Sequence, residues 1–367
     1  MKHLLTLFMG LLITSLSFGQ KVTKEVLGVQ DGHEVCLFTL TNKAGNLIKL
    51  TNFGARIVRI DVPDKNGVLD NVTTGAETFD RIVRGDAFGG ASIGRFANRI
   101  ANGTFSLDGN KYSLPINNRP NTLHGGPNGW YSKVWEAAVG KEKKATVVFT
   151  YLSPDMEEGF PGNLAMKVAY TWTNKNEIII DYAATSDKKT VINVTNHAYF
   201  NLNGVGKGSI FDQLLTLKAS NYTPLDATKI PTGQIVSVKG TPFDFTSPHP
   251  MGYQIGVSFG NEPFSGYDHN YVLDKKQKVA AQVYDPKSGR VLEVLTDEPG
   301  MQLYTGSGAQ WKRLADAGTP SATSRGGFAL ETQHYPDSPN QPTFPTTELK
   351  PGQKFKSRTI YRFSIQK

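Results

Sequence analysis

Val191-Ile-Asn-Val-Thr-Asn-His-Ala-Tyr-Phe-Asn-Leu202 is the stretch from which the rest of the chain is read. Alternation along an extended strand sends Asn193, Thr195, His197 and Tyr199 to one face and Ile192, Val194 and Ala198 to the other. One side is then apolar and the other polar, as in a strand that lines a binding site. Asn196 falls among the apolar set and predicts a bend or bulge there.

Outward from this run, strand-like segments recur at 47–52, 55–62, 104–107, 111–114, 144–152, 164–173, 177–185, 214–219, 279–284, 290–296 and 327–332. They are rich in β-branched and aromatic residues and separated by turn residues. Asp108-Gly109 between two of them is a strong hairpin signal. Period-3.6 patterns are scarce, with 77–84 the best short helix. Many short strands and few helices predict an all-β fold, a large antiparallel β-sandwich. No linker divides the sequence, so residues 20–367 read as a single domain.

Met1-Lys-His, an apolar run over 4–18 and Ser17-Phe-Gly19 before Gln20 have the layout of a secretory signal peptide, residues 1–19, and predict export, most simply to a periplasm. The run is shorter than the roughly 20 apolar residues of a membrane span, and no later segment supplies them. Without the leader the chain has 39 basic against 32 acidic side chains, a net of +7. The surplus is scattered, whereas a nucleic-acid surface would concentrate it on one element among aromatics, so no nucleic-acid partner is expected. Cys36 is the only cysteine and reads as an inert strand residue. An internal disulfide is impossible, and no Cys/His spacing suggests a metal.

Five segments carry more specific information: Gly94-Arg-Phe-Ala-Asn-Arg-Ile100, Asn121-Thr-Leu-His-Gly-Gly126, Asn196-His-Ala-Tyr-Phe-Asn-Leu202, Ser265-Gly-Tyr-Asp-His-Asn-Tyr-Val-Leu273 and Leu330-Glu-Thr-Gln-His-Tyr-Pro-Asp337. Glu158-Gly-Phe-Pro-Gly162 and Pro299-Gly-Met-Gln-Leu-Tyr-Thr-Gly306 add weaker matches. In this order they resemble the signature stretches of the aldose 1-epimerase (mutarotase) family, over roughly 27–365. The resemblance implies the galactose mutarotase-like supersandwich and interconversion of the anomers of a free monosaccharide such as glucose or galactose.

Such a reaction needs no cofactor and no metal. The ring oxygen receives a proton while the anomeric hydroxyl gives one up, and reclosure on the other face reverses both transfers. A His and a carboxylate raised by burial are suited to it. The resemblance makes His197 the acid and Glu331 the base. It assigns substrate contacts to Asn98, Arg99, His124, Asp268 and Gln302. Alternation places Glu331 on one face with Gln333 and with Ala329, whose small side chain would leave room for a ligand. Arg95 reads as a structural ion-pair former, His269 and His334 as residues turned away from the site, and Trp130, Trp135 and Tyr199 as core. The chain departs from the family pattern at Phe96, Ala198 and Ser307-Gly-Ala-Gln-Trp-Lys312, which leaves the preferred sugar open, as is the oligomeric state. Three other readings stay open: a glycoside hydrolase using Asp268 with Glu331, a sugar-binding module without catalysis and, as a minor one, a hexose-phosphate epimerase, which would require an added cationic clamp for the phosphate and which export disfavours.

Overall fold

A computed structural model describes residues 20–84, 88–140, 144–256, 258–259, 262–263, 266–274, 278–306 and 325–366. The leader 1–19 and the stretch 307–324, where the departure after Gly306 falls, lie outside the described residues.

Backbone pairing builds three main antiparallel sheets. A nine-stranded sheet runs Glu136–Val139, Ala145–Ser153, Leu164–Trp172, Glu177–Ser186, Phe355–Ile365, Arg290–Thr296, Ala281–Tyr284, Leu214–Leu217, His249–Pro250. A six-stranded sheet runs Tyr199–Phe200, Phe328–Gln333, Gly300–Tyr304, Asp268–Val272, Asn221–Tyr222, Val236–Ser237. Lys21–Gln30, His33–Thr41, Leu47–Thr51, Arg56–Pro63 and Leu69–Asn71 form the third, in chain order. The expected all-β sandwich is present, with the short helix at Phe79–Arg84.

The nine-stranded sheet obeys period-2 patterning. Leu164–Trp172 buries Leu164, Met166, Val168, Tyr170 and Trp172 and turns the residues between them outward. Its longest strand, Phe355–Ile365, was not anticipated, although it buries Ser357, Thr359, Tyr361 and Phe363 in alternation with Lys356 and Arg358. It sits between Glu177–Ser186 and Arg290–Thr296 and faces the six-stranded sheet. There the Tyr361 hydroxyl donates to the Leu330 carbonyl at 3.3 Å, and the Phe200 and Tyr361 rings meet at 5.1 Å. The third sheet joins the same core through Phe38 against Phe149, ring centres 5.8 Å apart, and a 2.7 Å bond from the Tyr170 hydroxyl to the Ala55 carbonyl. Trp130 and Trp135 are buried in that core as expected, and Cys36, on a strand as expected, is buried there too.

Two expectations need correction. The 191–200 segment is not one strand with a polar face. It forms three two-residue ladders, Thr190–Val191 with Glu348–Leu349, Thr195–Asn196 with Ser92–Ile93, and Tyr199–Phe200 with Phe328–Gln333, and every residue of it is buried. The breaks are tolerated because asparagine amides serve backbone groups that a continuous ladder would have served. Asn193 Nδ2 donates to the carbonyls of Ala97 and His334, and Asn196 Nδ2 donates to the Gly90 carbonyl and the Tyr170 hydroxyl. The bend expected at Asn196 falls at one of these stitches.

Arg95 is structural but forms no ion pair among the described residues. Its buried guanidinium donates to the carbonyls of Pro161 at 2.8 Å, Gly162 at 2.9 Å and Pro154 at 3.2 Å, and to the Ser153 hydroxyl at 2.5 Å. A five-donor fork matches converging carbonyls better than a single carboxylate would. It thereby anchors the segment that carries Asn98 and Arg99. Asp108 and Gly109, with φ of 50° and 80°, make the expected tight hairpin between Thr104–Leu107 and Asn110–Ser113.

Candidate active site

The six-stranded sheet divides its side chains between two tasks. Leu330, Leu303 and Met301 point into the core. On the opposite face the register sets Glu331 against Gln302 and Gln302 against Asn270, with Ala329 against Tyr304 and Tyr304 against Asp268 one pair along. Glu331 therefore lies on an interior strand, in a row of polar groups aimed away from the core. The space beside Ala329 is not left open as expected: the Tyr199 ring and half-buried Tyr304 pack on it.

His197 reaches the same place from the broken 191–200 segment. Its backbone N–H donates to the Ala91 carbonyl and its carbonyl accepts from Gly90 N–H, which fixes the ring's position. Nε2 stands 3.6 Å from Glu331 Oε1, with both side chains buried. Neither His197 Nδ1 nor Glu331 Oε2 has a hydrogen-bond partner among the described residues, although both are buried. Such groups in a native fold usually await a ligand or water. Burial pushes the Glu331 carboxyl up to about 7; His197 opposes that shift, Asp268 adds to it and Arg99 opposes it.

His124 enters from a tight turn in which His124, Gly125 and Gly126 take φ of 54°, 84° and 96°. A Cβ on Gly125 would lie 2.2 Å from the Gly94 carbonyl oxygen, so the close approach requires glycine. The His124 ring meets that of His197 edge-on at 5.3 Å. Burial lowers its pKa well below the usual imidazole value, with His197 and Arg99 adding to the effect and Asp268 opposing it.

Asn98, at φ 60°, donates its backbone N–H to His124 Nδ1 at 3.1 Å. Its side-chain Oδ1 accepts from the Arg99 backbone N–H at 2.9 Å. Arg99 donates through Nε to Asn118 Oδ1 at 3.0 Å and approaches Asp268 Oδ2 at 3.7 Å. Asp268 accepts from Gln302 Nε2 at 2.7 Å and from Lys229 Nζ at 2.8 Å. Burial alone would raise the Asp268 carboxyl, but the Arg99 and Lys229 cations outweigh it and hold the group at about 2. Asp268 is thus a fixed anion, while Glu331 is poised to gain or lose a proton.

All seven site residues expected from sequence are therefore gathered here. His269 turns away, accepting at Nδ1 from the Asp268 backbone N–H beside the Phe243 ring, and His334 Nδ1 contacts Glu298 at 2.7 Å. Sequence reasoning missed Phe88, whose ring lies 4.7 Å from that of His124 and 6.2 Å from that of His197, and it missed Asn118 and Lys229. Lys229 had no local signal. A turn organised by the Asp226 carboxylate, which accepts from the Thr228 and Ile230 N–H groups, delivers it.

One nitrogen from each of His124 and His197 and one Glu331 oxygen lie within 4.8 Å of one another, a donor set of the kind that holds transition metals. The detail does not fit a metal. A ligating imidazole normally donates its second N–H to a neighbour. His124 instead accepts a backbone N–H at Nδ1, which leaves the proton on Nε2 and no lone pair for an ion there.

The comparisons agree with this geometry. The family model described as Aldose 1-epimerase matches residues 37–362. A galactose mutarotase of Bos taurus is 40% identical over 322 residues, covering 87% of this chain and 91% of that protein. An aldose 1-epimerase of Escherichia coli K12 is 36% identical over 343 residues, covering 91% and 96%. The solved structure of an aldose epimerase homologue from C. elegans superposes with a TM-score of 0.80 at 30% identity, covering 91% of this chain and all of that one. The sandwich, the buried imidazole–carboxylate pair and the match over nearly the whole length agree: the chain belongs to the aldose 1-epimerase family.

Proposed function

We propose that this protein interconverts the α and β anomers of free aldoses such as glucose and galactose by acid–base ring opening and reclosure. The observation that carries the reading is the buried pair of His197 Nε2 and Glu331 Oε1 at 3.6 Å, each side chain keeping a polar atom without a hydrogen-bond partner among the described residues. The names of the relatives support the same activity.

Protonated His197 gives its proton to the ring oxygen while ionised Glu331 takes the proton of the anomeric hydroxyl. The bond from the anomeric carbon to the ring oxygen breaks, leaving an open-chain aldehyde, neutral His197 and protonated Glu331. After rotation of the aldehyde, the sugar hydroxyl attacks its other face. His197 recovers the proton from that hydroxyl, Glu331 returns one to the aldehyde oxygen, and the enzyme is restored. Asp268, held ionised, accepts hydrogen bonds from sugar hydroxyls, with Arg99, Asn98 and Gln302 as neighbouring donors and acceptors.

Two features weigh against the hydrolase and binding-module readings. A hydrolase using Asp268 with Glu331 would need the second carboxyl to exchange protons or attack carbon, whereas Asp268 is tied to Gln302, Lys229 and Arg99. A binding module has no use for a carboxyl held near neutrality by burial. The leader pattern in 1–19 supports action outside the cytoplasm.

Three outcomes follow. Polarimetry on a freshly dissolved single anomer should show accelerated approach to equilibrium. His197→Ala and Glu331→Gln should each lower the rate by about 10²- to 10⁴-fold; wild-type protein no faster than buffer would remove the proposal.

Since the folded pKa of Glu331 is raised, its contribution to stability is complete below about 4.5 and lost as pH rises through about 7. Glu331→Gln, which carries no charge to bury, should therefore gain on the wild type by on the order of 3 kcal/mol between acid and alkaline conditions in denaturant unfolding. A stability difference that does not vary with pH would contradict this. Finally, mass spectrometry of protein expressed in a cell with a Sec pathway should find a chain beginning at Gln20 outside the cytoplasm. Full-length chain confined to the cytosol would count against export.

A further inference from the structure

The bond between Asn98 and His124 is directional in a way most histidine contacts are not. A backbone N–H can only donate, so the nitrogen it meets at 3.1 Å, His124 Nδ1, must offer a lone pair. A neutral imidazole with an accepting Nδ1 carries its proton on Nε2. Protonating Nδ1 would set two N–H groups against each other. The backbone leaves no alternative arrangement, because Asn98 is held at φ 60° with its side chain bonded to Arg99 N–H, and the Asn98 carbonyl accepts from the His124 backbone N–H at 2.9 Å. Residue 98 and residue 124 thus clasp each other through a main-chain bond and a ring bond, and both sit in the left-handed region.

The surroundings point the same way. Facing His124 are the His197 ring, edge-on at 5.3 Å, the Phe88 ring at 4.7 Å, the Glu331 carboxyl within the 4.8 Å group, and the more distant charges of Arg99 and Asp268. Burial and the His197 and Arg99 neighbours disfavour a cation here, and only Asp268 opposes them. Among the described residues no acceptor takes the Nε2–H.

We propose that His124 is a neutral, tautomer-locked hydrogen-bond donor whose Nε2–H serves a hemiacetal oxygen of the substrate, and that it carries no proton through the reaction. This rests on the mutarotation reading and assigns the site's division of labour. Glu331 and His197 exchange protons with the sugar. His124 contributes a fixed dipole where negative charge develops on oxygen as the ring bond breaks, in a buried setting where such a donor is effective. An imidazole of fixed neutral form has one advantage over a cation at this spot. It does not compete with His197 for the proton that His197 must deliver.

The test has two arms. In the full-length protein labelled with 15N histidine, His124 should show an unprotonated Nδ1 and a protonated Nε2, with shifts that do not move between about pH 5.5 and 8.5, either side of the usual imidazole value. Titration of His124 in that range, or a proton on Nδ1, would overturn the proposal. The second arm is kinetic. His124→Asn keeps an acceptor near the Asn98 N–H but removes the distal donor, and should lower kcat by about 10²- to 10³-fold. His124→Gln supplies a non-titrating donor at the Nε2 position and should recover most of that loss with the wild-type pH profile. His124→Gln as inactive as His124→Asn, in protein with an intact fold by circular dichroism, would contradict the donor role. If the wild type shows no mutarotation at all, the functional reading fails while the NMR arm still decides the tautomer.

Discussion

The site depends on one constraint, a carboxyl group buried 3.6 Å from an imidazole with no hydrogen-bond partner for its Oε2 among the described residues. A buried carboxylate is costly unless paired, and a buried neutral carboxyl is a poor base. Glu331 sits between these limits, pushed up by burial and held back by His197. The same sheet face carries Asp268 with its pKa driven in the opposite direction by Arg99 and Lys229. Two carboxyls on the strands either side of Gly300–Tyr304 thus take different roles, because two cations outweigh burial at one and burial prevails at the other.

The scaffold makes this possible by giving the six-stranded sheet unequal faces. Leu330, Leu303 and Met301 fix it to the core, so Glu331, Gln302 and Asp268 are presented by strands that cannot shift register without exposing those apolar residues. The histidines arrive by contrast on irregular backbone. His197 comes from a segment broken into three ladders, and His124 from a turn of three left-handed residues. Strands hold the carboxyls, and side-chain-stitched loops bring the imidazoles to them. The Arg95 guanidinium, spread over converging carbonyls, ties to the rest of the fold the segment whose Asn98 N–H holds the His124 ring.

Much of this was legible in the sequence. Strand periodicity identified much of the nine-stranded sheet, with Arg290–Thr296 at its observed bounds, and the Thr104–Leu107 hairpin strand, but not Lys21–Gln30, Asp268–Val272 or Gly300–Tyr304. The motifs gathered His124, His197, Asp268 and Glu331, which lie far apart along the chain. What periodicity missed has physical causes. The 191–200 run alternates like a strand, yet Asn193 and Asn196 bond across to other segments and break it. Phe355–Ile365 carries charged residues on its outer face and so looked unremarkable, although its inner face is buried. Arg95 suggested an ion pair because residue type names a charge but not its partner. Lys229 reaches Asp268 only because a distant turn folds back, and no local pattern records that.

The central claim is that burial beside His197 brings the Glu331 carboxyl to the edge of ionisation at neutral pH. The direct measurement is 13C NMR of the glutamate side-chain carboxyl carbons across the pH range, with Glu331 assigned by the signal lost in Glu331→Gln. The account predicts half-titration of Glu331 at about 7. A Glu331 midpoint near the ordinary 4.5 would contradict it.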